Sequence, residues 1–97
     1  MATEVVLKSW NRINLDASWP GAYTEMKTVE NDSLCFETRM WLTTAQSNFL
    51  QGKSVRSKLE LETPIYPQGF AGTSLYSRII LVFDCEKEAL EFIIKHL

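Results

Sequence analysis

The sequence predicts an α+β fold: a mostly antiparallel sheet of roughly four to five strands, with one C-terminal amphipathic helix packed on one face. Three observations carry this expectation. Arg78, Ile79, Ile80, Leu81, Val82 and Phe83 form a nearly unbroken apolar run rich in β-branched residues, the pattern of a strand covered on both faces. Residues 85–97 follow at once with helical periodicity. Between Ser54 and Thr63 the chain alternates strictly: Val55, Ser57, Leu59 and Leu61 on one side, and Ser54, Arg56, Lys58, Glu60 and Glu62 on the other. That is a strand with one dry face and one charged face.

The first element is expected within residues 4–15, where Val5, Val6, Leu7, Trp10, Ile13 and Leu15 alternate imperfectly. The irregularity allows for a bulge. Pro20-Gly21 ends the run as a turn, and Pro20 holds Trp19 extended. Residues 23–29 and 34–43 read as a hairpin around the polar turn Glu30-Asn31-Asp32-Ser33. Its second arm would place Leu34, Phe36, Thr38, Met40 and Leu42 on the core face, and Cys35, Glu37, Arg39 and Trp41 on the other. Residues 44–50 fit neither template well and are too short for a convincing helix. Gln51-Gly52-Lys53 should be a turn returning the strand at 54–63 against the one before it.

Residues 64–74 hold two prolines and two glycines and should be irregular. The strand at 75–83 belongs in the centre of the sheet. Asp84 is placed to cap the last helix. Glu86 and Glu88 favour its positive end, Lys95 and His96 its negative end. Ala89, Leu90, Ile93, Ile94 and Leu97 form the apolar stripe expected to face the sheet, with Phe92 off its centre at a rim or toward a partner.

The 97 residues should form a single domain, with 45% apolar and 23% charged content, which argues against global disorder. A formal charge of -2 favours neither general nucleic-acid binding nor a DNA-mimicking surface. No apolar run approaches the roughly 20 residues that cross a bilayer, and the N-terminal residues read as lacking a secretory signal. The two cysteines, Cys35 and Cys85, suit a reducing cytosol as small buried hydrophobes. A cytoplasmic protein without membrane association is the expectation.

The catalytic repertoire is thin. His96 is the one histidine, and its place at a helix end suits the dipole better than general-base work. Asp16, Asp32 and Asp84 fall at turns and a cap. One histidine and two distant cysteines make no metal-ligand spacing, and Gly69 and Gly72 have no lysine or following helix to make a phosphate cradle. No enzyme, no cofactor and no metal is the expectation.

A binding protein acting by protein–protein contact is therefore the first reading, as an inhibitor or adaptor of the viral and phage accessory type. Tyr66 and Phe70 on the irregular loop, with Trp19 and Trp41, are the candidate anchors, because aromatics on loops dominate interfaces. Two strand edges and an uncovered sheet face would also suit a homo-oligomer. The alternative is a nucleic-acid module built on Arg39, Lys53, Arg56 and Lys58 with Trp41 beside them. Glu37, Glu60 and Glu62 interleave with these cations and favour cross-strand ion pairs instead.

Overall fold

Strand β1 (Thr3–Ser9) lies at one edge of a four-stranded sheet and β2 (Tyr23–Glu30) at the other. These come from a computed structural model, which describes residues 2–10 and 20–97. Short helices α1 (Phe36–Met40) and α2 (Thr44–Leu50) follow, then β3 (Val55–Ile65), β4 (Leu75–Phe83) and α3 (Glu86–His96). The sheet order is β1-β4-β3-β2, antiparallel throughout. This is the α+β class expected from the sequence.

Strand β4 is central, as its two-sided apolar run requires. Val5 and Ser57 both pair with Leu81, and Val55 pairs with Phe83. Side chains alternate, so Val5, Val55, Leu81 and Phe83 share one face. There they join Leu50, Ala89 and Phe92 in one buried cluster, bordered by Leu7, Leu34, Leu42 and Phe49. Ile80 and Val82 are buried on the opposite face. Their cover includes charged residues: Glu4 pairs with Val82 from β1, and Lys58 pairs with Ile80 from β3. Long charged side chains shield apolar surface with their stems while their heads stay wet.

The irregularity expected in the first strand lies between Val6 and Lys8. A second lies between Glu60 and Leu61, which face Arg78 and Tyr76 and leave Ser77 without an opposite number. The Ser77 carbonyl accepts from the Trp10 amide at 2.8 Å. Residues 11–15 of the expected first strand lie outside the described residues.

The hairpin expected from residues 23–29 and 34–43 does not form. Strand β2 pairs with β3, from Tyr23 on Ile65 to Glu30 on Lys58. Residues 36–40 are helical instead. Two causes are visible. Glu37, Arg39 and Met40 are three of the five residues in this segment and are good helix formers with little β preference. Ser57 also redirects the chain after β2. Its carbonyl accepts from the Asn31 amide at 2.9 Å, and its buried hydroxyl accepts from the Cys35 amide at 3.0 Å. The backbone leaves the sheet there and enters α1.

Helix α2 follows directly, over the segment judged too short. Thr43 and Gln46 make a reciprocal capping box: the Thr43 hydroxyl accepts from the Gln46 backbone amide at 3.1 Å, and the Gln46 side-chain Oε1 accepts from the Thr43 backbone amide at 2.9 Å. Gly52, at φ 76°, takes the left-handed conformation that ends the helix. The Gln51-Gly52-Lys53 turn thus leads from α2 into β3 rather than joining two strands.

Asp84 does not cap α3. Its amide donates to the Ser54 carbonyl at 3.0 Å, tying it to the end of the sheet, and its carboxylate meets Arg56 at 3.4 Å. Cys85 is the N-cap, without a side-chain bond. The buried face of α3 also differs from the expected stripe. Ala89 and Phe92 are fully buried, whereas Leu90, Ile93, Ile94 and Leu97 are exposed. Helix α2 is the cause. Phe92 fits between Phe83 at 5.7 Å and Phe49 of α2 at 6.0 Å, and the His96 ring lies 4.8 Å from Phe49. A helix held against both a sheet and a neighbouring helix buries the side facing both, here positions 89, 92 and 96.

Candidate functional site

The expected anchors fall in different places. Strand β3 runs on through Pro64 to Ile65, so the irregular segment begins at Tyr66. It folds back on itself, with the Tyr66 amide donating to the Phe70 carbonyl at 3.0 Å and the Gly69 amide to the Tyr66 carbonyl at 2.9 Å. Gly69, at φ 83°, makes that reversal. Phe70 projects into solvent from this turn, and Tyr66 is half-buried. Trp19 lies outside the described residues.

Trp41 is the C-cap of α1 rather than a strand residue. It stands edge-on to Trp10, ring centres 5.1 Å apart, and Tyr76 lies 6.4 Å from Trp10. The Lys8 ammonium sits 5.9 Å from the Trp10 ring and 5.5 Å from the Trp41 ring, within reach of both π faces. Burial, with the charges of Glu37 and Cys35 added, holds the Tyr76 phenol above its usual pKa. Trp41 is half-exposed on this cluster.

The four cations of the alternative nucleic-acid face do not share a surface. Arg56 and Lys58 lie on the sheet face opposite the helices, and each is already paired. Lys58 meets Glu4 at 2.9 Å and Arg56 meets Asp84 at 3.4 Å. On the same face Arg78 pairs with Glu60. The hydrogen bond that Lys58 donates to Glu4 raises the Lys58 pKa. Beside them is a recess of about 140 Å³ lined by Glu4, Glu30, Asn31 and Arg56; Asn31 Nδ2 and Arg56 Nε are buried donors without partners among the described residues. The recess is large enough for water.

Arg39 and Lys53 come together elsewhere. Both line a cleft of about 370 Å³ beside α2, a volume within the usual range for ligand sites. Leu34, Leu50 and Val55 supply apolar walls, and Ser33 and Ser47 bring hydroxyls. Arg39 has no ion-pair partner among the described residues. Lys53 lies 4.0 Å from Glu88 and 4.9 Å from the Phe49 ring centre. Phe36 and Met40, one helical turn apart on α1 with Arg39 beside them, are both largely exposed.

An extended row of exposed apolar side chains lies on α3. Leu90, Ile93, Ile94 and Leu97 follow the spacing i, i+3, i+4, i+7, so they line one side of the helix. Ile94 is 80% exposed and Leu97 59%. Together they make an aligned strip of aliphatic side chains open to solvent. The sequence held the clue as a surplus. With Phe92 included, α3 carries more large apolar side chains than one stripe can bury.

Among the described residues, no three His, Cys, Asp or Glu side chains gather into a metal-binding group, and no helix is long and apolar enough to cross a membrane. Cys35 and Cys85 are both free. The chain matches no family model, no curated protein and no solved structure.

Proposed function

We propose that this is a small non-enzymatic binding protein, an inhibitor or adaptor that works by contact with another protein in a reducing cytosol. The observation that carries the reading is the outward stripe Leu90, Ile93, Ile94 and Leu97. Its occupant is a partner helix with an apolar face of its own, because aliphatic side chains at i, i+3, i+4 and i+7 are the half of a helix–helix contact one chain supplies. Glu86 and Lys87 at one end and Lys95 near the other give it a mixed-charge rim, which suits protein contact better than a polyanion. Phe36, Met40, Trp41 and Phe70 are further exposed anchors.

The test is affinity capture from lysate with and without nuclease, followed by reconstitution with the purified partner. A stoichiometric complex that survives nuclease and is lost in Leu90→Ser/Ile94→Lys supports the reading. Capture that depends on nucleic acid, or a complex indifferent to these substitutions, overturns it. Light scattering on the same samples distinguishes a second copy of the chain from a foreign partner.

The nucleic-acid reading has less support. Arg56, Lys58 and Arg78 already have carboxylate partners, and Arg39 and Trp41 sit on α1 rather than on that sheet face. It would require affinity for oligonucleotides that falls steeply with salt.

A further inference from the structure

We propose that the cleft between α1 and α2 holds an acidic side chain of a partner protein, the carboxylate on Arg39 and Lys53 and an adjacent apolar side chain on the floor of Leu34, Leu50 and Val55. This rests on the protein-contact reading and names the chemistry of what is bound.

Charge selects the ligand. Arg39 carries a guanidinium with no partner among the described residues, and a guanidinium fork matches a carboxylate with two parallel hydrogen bonds. Lys53 adds a second cation but shares it with Glu88 at the long distance of 4.0 Å. Two cations and one carboxylate leave a single net positive charge at the cleft. That balances a monoanion and would leave the second charge of a phosphate without a counter-charge. The chain as a whole is mildly acidic at -2, so this cleft is a local exception to its overall sign.

Shape and polarity select the rest. The cleft's volume of about 370 Å³ exceeds what a carboxylate alone would fill, and its apolar walls gain only from an apolar neighbour. The Ser47 hydroxyl, at the same cleft, can donate to a lone pair of the carboxylate that the Arg39 fork does not use. Phe36 and Met40 form an exposed lip on the helix that carries Arg39. An extended segment crossing that lip would bury it. A free aliphatic acid would leave it bare, so a protein segment fits better.

The experiment is selection of a random dodecapeptide display library on the intact protein, then titration of the consensus peptide by fluorescence polarisation and amide NMR. The expected consensus has a Glu or Asp next to Leu, Ile, Phe or Met. Binding should weaken by about tenfold or more in Arg39→Glu, in Lys53→Glu and for the peptide's own Glu→Gln version, the usual scale for losing a charge-assisted contact. Amide shifts should centre on Leu34, Ser47 and Gly52. Arg39 is exposed, so its reversal should leave the melting curve unchanged. A peptide with Lys in place of Glu should regain affinity for Arg39→Glu/Lys53→Glu. A consensus without an acid, binding unaffected by Arg39→Glu, or no enriched peptide overturns the proposal. Shifts along Leu90 to Leu97 with no acidic preference would sink the cleft and leave the protein-contact reading standing.

Discussion

Lys58 and Glu4 meet at 2.9 Å although their strands, β3 and β1, do not touch. The pair spans β4 above Ile80 and Val82 and helps to roof an apolar strip with a charged surface. Its value then lies in cover more than in charge, since exposed ion pairs are screened by water and salt. Lys58→Met keeps the cover and loses the charge, whereas Lys58→Ser loses both. We expect K58M to melt close to wild type and K58S to melt several degrees lower. Thermal unfolding by circular dichroism at low and high salt checks this, and equal losses in both variants would show that the charge matters after all.

Phe92 and Ile94 should respond in opposite ways. Phe92→Ala removes a fully buried ring and should cost about 3–5 kcal/mol. Ile94→Ala, on the exposed side, should stay within about 0.5 kcal/mol. Urea denaturation of both variants checks which side of α3 faces the sheet.

The cap of α2 is equally testable. Thr43→Ala removes the hydroxyl that accepts from Gln46 and should destabilise by about 1 kcal/mol. Thr43→Ser should recover most of this. Chemical denaturation is the measurement.

Tyr76 gives a prediction in alkali. Its phenol ionises later in the folded chain than in the unfolded one, chiefly because it is partly desolvated by its neighbours, and then because of Glu37 and Cys35. A raised folded pKa means the stabilising contribution is whole below the ordinary tyrosine value near 10. It is lost as pH rises through the folded value. Tyr76→Phe should flatten that loss. Ultraviolet titration of the phenolates against the variant, with melting curves from pH 8 to 11, checks both points.

The parts of the fold legible in the sequence were those with one dominant period. Residues 54–63 alternate over a full strand, and 79–83 are apolar on both sides, so both strands lie where expected. Residues 34–43 misled because Leu34, Phe36, Thr38, Met40 and Leu42 alternate while Glu37, Arg39 and Met40 favour helix. Ser57, more than twenty residues away, decided between them through Cys35. For α3, periodicity located the helix, but the buried side depended on α2, which local pattern had not revealed. Of the candidate site, the sequence singled out Arg39 and Lys53 only as two of four cations on a strand face for nucleic acid. Their meeting beside α2 was not visible, because it depends on the helical path of residues 36–50.

Sheet order also sets a timetable for synthesis. Val5 pairs with Leu81, so the strand made first must wait for one made about seventy-five residues later. At ~5–20 residues per second that delay is roughly 4–15 s. Throughout it the apolar residues of β1 have no native strand to join, and whatever holds the nascent chain in a cell must keep them from other strands until β4 emerges.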